Sequence, residues 1–262
     1  TAGGSGIKMA YSIAEDNFIE GGNNRIILGS DGDFNVGLTS TEELVELIEE
    51  KRENGIYFTV LGVGTGNLND HMMEQIANNG NGNYEYIDNA MQVEKVFVHE
   101  KSKFQTVAKD SKFQISFNPN MVEAYRLIGY ENRMLENEDF EEDNVDAGEI
   151  GAGQTITAMY ELQLLDVLNV EKYGSLDFRY KFPDENVSRL LNQDILTMPV
   201  NINTASENQR FATAVTGFGL ILRESQYKGD LSKQMLINLG EGALGIDEHG
   251  YREECLSLMQ HL

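Results

Sequence analysis

The sequence predicts an α/β fold in which a doubly wound parallel sheet with helices on both faces is followed by a β-rich module and a helical C-terminal segment. Three observations predict this fold class. Strand and helix patterns alternate at the start of the chain, strand patterns dominate its middle, and helical periodicity returns from about Ser206. We therefore divide the chain into residues 1–104, 105–205 and 206–262.

The first βα unit is indicated by an apolar run and a capping box. Residues 25–30 form a short continuous apolar run of the kind that is buried on both faces of a parallel sheet. After a polar loop over 31–37, Ser40 and Glu43 have the spacing of a capping box, and helical periodicity then continues until Gly55. A strand, a loop and a helix are therefore expected in this order.

Two further strand patterns follow. Residues 56–63 are typical of a buried strand, Asn69 is placed to cap the next helix, and Gly80 is placed to end it. Residues 84–87 predict a third strand. A helix is expected to follow with one apolar face, formed by Val93, Val96, Phe97 and Phe104. Ligands of such sheets bind at the carboxyl ends of the strands.

The β-rich module is predicted from strand patterns at 113–117, 155–160 and 176–180. Between them lies an acidic segment, residues 136–149, which we interpret as a solvated loop, with cation binding or contact with a basic partner as alternatives. Cys255 falls on the apolar face of the last helix and is expected to pack in a core.

The composition excludes several classes of protein. The chain has 20 Lys and Arg against 43 Asp and Glu, a formal net charge of −23, which argues against the ordinary basic kind of nucleic-acid-binding protein. Cys255 is the single cysteine, so an intramolecular disulfide and a thiolate metal cluster are excluded. No apolar run reaches the roughly 20 residues that cross a bilayer.

Two polar residues mark a candidate metal site. Asp31 directly follows the first buried strand, so its carboxylate is expected at the mouth of the sheet, where a hard cation finds oxygen ligands. Thr1 precedes a glycine-rich stretch, 3–6, and then a helical pattern. Together these residues resemble the von Willebrand factor type A (VWA) domain and its metal-ion-dependent adhesion site.

The resemblance implies a site and a mechanism. It places Thr1 in the second metal loop and Asp31 in the third, with Ser30 in place of the usual threonine. The two residues would hold Mg²⁺, or alternatively Mn²⁺ or Ca²⁺, directly or through water. A carboxylate from an unknown partner protein would fill an open coordination position. The segments 56–63 and 84–87 become the fifth and sixth strands of the domain.

The sequence departs from the VWA pattern in one respect. The first metal loop of the family, Asp-x-Ser-x-Ser, is absent. The strand that carries it would lie beside the strand ending at Ser30, and without it the apolar residues 26–28 would form a bare sheet edge. We therefore expect a preceding N-terminal segment of the same protein to supply the missing strands.

Longer motifs look like those of the bacterial YfbK-like VWA proteins, and they extend the resemblance over essentially the whole chain. These motifs lie at 21–28, 31–37, 80–84, 125–133 and 146–153. The likeness implies a family-specific C-terminal extension and a location in the cell envelope, with possible membrane tethering through an upstream lipid anchor. It also implies a role in binding and no enzymatic activity.

Two other functions remain open from the sequence. Thr1 at the start of the chain would suit an N-terminal-threonine hydrolase, in which the free amine activates the hydroxyl. Alternatively, the protein is a structural envelope protein with a vestigial metal site.

Two weaker motifs allow other interpretations. An EF-hand-type calcium loop would use Asp31, Asp33, Asn35, Thr39 and Glu42, but its required glycine is replaced by Val36. Residues 240–245 match the G-x-G-x-x-G dinucleotide fingerprint, yet no clear strand precedes them, and a turn between two helices explains them better.

Overall fold

The computed structural model describes residues 3–31, 41–64, 68–131, 133–166, 172–196 and 199–261. Its helices are α1 (Gly3–Asp16), α2 (Thr41–Glu53), α3 (Asp70–Asn79), α4 (Ala90–Glu94), α5 (Glu207–Leu222), α6 (Lys233–Glu241) and α7 (Tyr251–His261). Its strands are β1 (Asn24–Ser30), β2 (Ile56–Val63), β3 (Tyr84–Ile87), β4 (Thr106–Phe117), β5 (Val122–Ile128), β6 (Gly148–Gly151), β7 (Met159–Leu164), β8 (Gly174–Lys181) and β9 (Arg189–Ile195). The predicted α/β class is confirmed.

The chain forms two compact units, each built from three segments. Unit 1 contains residues 1–114, 136–155 and 177–192, and unit 2 contains 115–135, 156–176 and 193–262. The three consecutive segments proposed from the sequence stay a prediction.

Unit 1 contains a three-stranded parallel sheet in the order β1-β2-β3. The strands occupy the residues expected from their apolar patterns. Asn69 caps α3 as predicted, because its side chain accepts a hydrogen bond of 3.1 Å from the Met72 backbone N–H, and Gly80 is the C-cap. The capping residue predicted for α2, Ser40, lies outside the described residues.

Both faces of the central strand β2 are covered. Phe58 and Val60 pack into the main core with side chains from the three helices α1, α2 and α3, and the rings of Phe58 and Tyr11 stack at 5.8 Å. Leu61 points to the opposite face, because side chains alternate along a strand. There it packs with Val96 and Phe104. The sheet is therefore doubly covered, as predicted.

The prediction of one continuous helix with a single apolar face after β3 is wrong. The chain forms α4, then a π-helical turn at Lys95–His99 and a 3₁₀ turn at Lys101–Phe104. Because the helical period changes at these turns, the four apolar residues do not share one face. Val96 and Phe104 are buried, whereas Val93 and Phe97 are 42% and 40% exposed.

The β-rich part contains a four-stranded sheet in the order β6-β4-β8-β9 and a two-stranded antiparallel sheet of β5 and β7. The predicted strands at 113–117 and 176–180 are confirmed within β4 and β8. The strand predicted at 155–160 begins later, as β7, because its partner β5 pairs with residues from Met159 to Leu164. Pairing with β5 therefore determines where this strand lies.

The helices α5, α6 and α7 form a separate core in unit 2. Phe218, Leu236, Leu256 and Met259 are buried together, and Cys255 packs against them as predicted. Ser206 caps α5 by accepting a hydrogen bond of 3.2 Å from the Gln209 backbone N–H. The glycine motif at 240–245 spans the end of α6 and the turn that follows, which confirms the turn between helices. Among the described residues, no helix is long and apolar enough to cross a membrane.

Candidate functional site

The carboxyl ends of β1, β2 and β3 lie side by side and form the predicted edge of the parallel sheet. Ser30 is in register with Gly62, which is in register with Tyr86. Asp31 follows Ser30 immediately and is exposed. A Cβ atom placed on Gly64 would lie 3.8 Å from Asp31 Cβ. The Asp31 carboxylate therefore lies beside the end of the neighbouring strand.

Two tyrosines from β3 reach toward the same edge. The Tyr86 hydroxyl donates to the Gly64 carbonyl at 3.0 Å, and the Tyr84 hydroxyl donates to the Asp70 carboxylate at the start of α3. Burial and this hydrogen bond both raise the pKa of Tyr84, which keeps its phenol protonated. Gly62 leaves room for the Tyr84 ring, because a Cβ at Gly62 would lie 2.7 Å from the Tyr84 hydroxyl oxygen. These contacts link β3 to Gly64 after β2 and to the start of α3.

The structure places one of the two predicted metal ligands. Asp31 lies at the sheet edge as expected, whereas Thr1 lies outside the described residues, so its pairing with Asp31 stays a prediction. Of the alternative calcium-loop residues, Asp33, Asn35 and Thr39 also lie outside the described residues.

A second polar site in unit 1 was not predicted. Ligand oxygens of Asp110, Asp146 and Glu149 all lie within 4.8 Å of one another. We call these three residues the carboxylate cluster. Asp110 lies in β4 and Glu149 in β6, and Asp146 lies two residues before the first residue of β6. The register of these two strands shifts between Ala108 and Ser111, so that two residues of β4 oppose one of β6. This bulge places Asp110 next to Glu149.

Positive side chains neutralise two members of the cluster. Asp110 Oδ2 accepts a hydrogen bond of 2.7 Å from Lys181 Nζ, and Asp146 Oδ2 accepts one of 2.8 Å from Arg52 Nη1. Glu149 Oε1 is different, because it is buried and has no hydrogen-bond partner among the described residues. One carboxylate oxygen of the cluster is therefore left unsatisfied.

The electrostatic setting of Glu149 favours its neutral form. Desolvation raises the pKa of Glu149 to about 8, and the negative charges of Asp146 and Asp110 act in the same direction. Arg52 and Arg25 oppose this shift. The hydrogen bonds of Arg25 among the described residues go elsewhere: its Nη1 donates to Thr59 Oγ1 at 2.7 Å and its Nη2 to Thr106 Oγ1 at 3.4 Å. Glu149 is thus a desolvated carboxyl group beside two carboxylates, each of which is paired with a cation.

The sequence carried only a faint signal for this cluster. Asp110 interrupts an otherwise strand-like segment, and Asp146 and Glu149 lie at the end of the acidic segment 136–149, for which cation binding is one alternative. Their proximity depends on a bulge between strands that are nearly 40 residues apart, and spacing along the chain does not reveal it. The acidic segment is also less solvated than expected, since the buried Lys112 donates to the backbone carbonyls of Asp139 and Glu142 at 2.9 and 2.5 Å.

The fold is that of a mixed α/β protein with an open parallel sheet, and Asp31 follows the carboxyl end of its strand β1. The chain belongs to the family described as "Uncharacterized protein YfbK, C-terminal", whose model matches residues 102–171 and 166–262. It is also 40% identical over 279 residues to "Uncharacterized protein YfbK" of Escherichia coli strain K12, covering 99% of this chain and 48% of that protein. The chain therefore spans about half the length of this relative, and the predicted YfbK likeness is confirmed.

Comparison with solved structures also returns VWA proteins. The ArnB paralog VWA2 from Sulfolobus acidocaldarius is similar with a TM-score of 0.37 and 15% identity, covering 87% of this chain and 58% of that one. A von Willebrand factor type A protein from Catenulispora acidiphila has a TM-score of 0.45 and 15% identity, covering 99% and 62%.

Proposed function

We propose that this chain is part of a VWA-type protein-binding module whose sheet edge at Asp31 binds a divalent metal ion and, through it, a carboxylate of a partner protein. The observation that carries the proposal is the exposed Asp31 carboxylate, which directly follows β1 and lies beside the end of β2. Ligands of open parallel sheets bind at this edge. The proposed role is binding, without catalysis.

The donor chemistry at this edge suits Mg²⁺, or else Mn²⁺ or Ca²⁺. These ions prefer oxygen ligands, and Asp31 offers a carboxylate in a solvent-accessible position. Thr1 is the second proposed ligand. When bound, the metal would supply an open position for the partner's carboxylate, while Asp31 would hold the ion at the sheet edge.

The proposal includes a further segment of the same protein. β1 is an edge strand of the sheet as described, and Ile27 on it is 42% exposed. We propose that an N-terminal segment pairs with this edge and contributes the remaining metal loop. We also propose a cell-envelope location with an upstream lipid anchor, and no nucleic-acid partner.

The test is metal binding by the intact protein, including the preceding segment. Isothermal titration with MgCl₂ and MnCl₂ is expected to detect a site that Asp31→Ala weakens roughly tenfold or more. Asp16→Ala is the control, because it removes an exposed aspartate at the end of α1. The control is expected to bind like the parent.

Equal metal affinity in the parent and in Asp31→Ala would contradict the proposal. So would an equal loss in Asp31→Ala and Asp16→Ala, which would point to diffuse charge. Circular dichroism of each variant is needed to show that the loss of a ligand, and not unfolding, explains any weakening.

A further inference from the structure

The carboxylate cluster is separate from the sheet edge at Asp31 and has the features of a second cation site. Its three members come from β4, from β6 and from the residues just before β6, so backbone pairing holds them together. Asp110 has a positive φ of +49°, and aspartate is one of the few residues that adopt this region readily. The bulge and this backbone conformation together aim the Asp110 side chain at Glu149.

The hydrogen bonds within the cluster leave one acceptor without a donor. Lys181 donates to Oδ2 of Asp110, and Arg52 donates to Oδ2 of Asp146. Glu149 Oε1 is buried and receives no hydrogen bond from the described residues. Buried carboxylates that lack a donor are destabilising, and metal coordination is one way to satisfy them.

The size of the cluster indicates which ion fits. Two oxygens bound to one ion can be no farther apart than twice the ion–oxygen distance. For Ca²⁺ this limit is about 4.6–5.2 Å, and for Mg²⁺ it is about 4.0–4.2 Å. The ligand oxygens of the cluster are at most 4.8 Å from one another, an upper limit that lies within what one Ca²⁺ ion can span.

We propose that Asp110, Asp146 and Glu149 form a calcium-binding site in which Glu149 Oε1 is a direct ligand. Lys181 and Arg52 keep their hydrogen bonds to Oδ2 of Asp110 and Asp146, which leaves the other oxygen of each carboxylate for the ion. Bound calcium links β4 and β6 through Asp110 and Glu149 and thereby stabilises unit 1. This site is independent of metal binding at Asp31.

The first test is isothermal titration of the chain with CaCl₂, together with its melting temperature with and without calcium. The parent is expected to bind one calcium ion at this site and to melt at a higher temperature when calcium is present. Glu149→Gln keeps the shape of the side chain, but its amide cannot ionise to the carboxylate that would bind the calcium ion. It is expected to weaken calcium binding roughly tenfold or more and to lose the calcium-dependent rise in melting temperature.

The matched control is Glu141→Gln, which removes an exposed glutamate from the same acidic segment outside the cluster. At the carboxylate cluster it is expected to bind calcium like the parent, and Asp31→Ala is expected to leave binding at this cluster unchanged. If Glu149→Gln does not fold, Asp110→Asn takes its place and is expected to weaken calcium binding by the same roughly tenfold or more. Asparagine suits this position because it also adopts positive φ readily.

Three results would overturn the proposal. One is the absence of calcium binding by the parent up to about 10 mM, beyond the weakest protein calcium sites. The second is unchanged calcium affinity in Glu149→Gln or, in its place, Asp110→Asn. The third is an equal loss in Glu141→Gln, which would show that calcium only screens the acidic surface.

Discussion

Lys112 and Lys181 are buried, and each binds the acidic segment through backbone carbonyls. Lys112 Nζ donates to Asp139 and Glu142, and Lys181 Nζ donates to the carbonyl of Asp143 at 2.6 Å. Burying an ammonium group is costly unless donors and acceptors are matched, and here backbone oxygens supply the match. A segment that its composition marks as a solvated loop is thereby attached to the β-rich part of unit 1.

Asp143 offers a way to test how the acidic segment is attached to the β-rich part of unit 1. The Ser188 hydroxyl and the Arg179 guanidinium both hydrogen-bond its carboxylate, and they lower its pKa to about 2. An unfolded aspartate titrates near 3.9. Because the folded state binds the proton less readily, Asp143 stabilises the fold fully above about pH 4, and this contribution is lost as the pH falls toward 2.

We expect Asp143→Asn to be less stable than the parent at pH 6 and to approach the parent's stability near pH 2. Urea unfolding of both proteins at several pH values between 6 and 2 measures the difference. Asp184→Asn removes an exposed carboxylate from the same unit and is expected to show no such convergence. A difference between parent and Asp143→Asn that stays constant with pH would contradict the assignment.

At the scale of elements, the sequence predicts best where a pattern is local. The apolar run of β2 and the cap of α3 depend on neighbouring residues, and the structure has both as predicted. The start of β7 was wrong because its register depends on β5, more than 30 residues earlier. The carboxylate cluster was missed for the same reason, since the β4 bulge that builds it has no local signature.

Two glycines in unit 1 are expected to respond in opposite ways to substitution by alanine. Gly82 lies in the turn before β3, where a Cβ would lie 2.0 Å from the Phe58 carbonyl oxygen. Gly6 is exposed in α1, and apart from the helix's own backbone no atom of the described residues lies within 4 Å of such a Cβ. Gly82→Ala should destabilise by about 1–3 kcal/mol through overpacking. Gly6→Ala should stabilise by about 0.5–1 kcal/mol through helix propensity.

Urea unfolding of the two variants beside the parent measures both effects, and each variant serves as the control for the other. Gly82→Ala with the parent's stability would show that the turn can move away from Phe58 at little cost. Gly6→Ala with reduced stability would show that α1 makes a contact through this position that the described residues do not account for.

At the scale of the whole molecule, charge opposes folding. Each unit has its own apolar core, yet the chain as a whole carries a formal net charge of −23. Bringing like charges into a compact state costs free energy, and the cost depends on how far the charges act. The Debye length is about 30 Å at 10 mM salt and about 8 Å at 150 mM. Added salt therefore screens repulsion between distant charges much more than interactions between charges in contact.

We expect the melting temperature at pH 7.5 to rise by roughly 2–4 °C between 10 and 150 mM NaCl, a gain of about 1 kcal/mol. The physical reason is that salt screens repulsion among the excess carboxylates more than it weakens the close ion pairs. The control is the same comparison near pH 4.4, the isoelectric point of the sequence, where the net charge vanishes. There the rise should disappear or reverse, because screening then acts mainly on attraction. Chelator in both buffers keeps calcium from contributing to the melting temperature. An equal rise at both pH values would contradict the prediction, because the effect would then come from salt in general and not from the net charge of the chain.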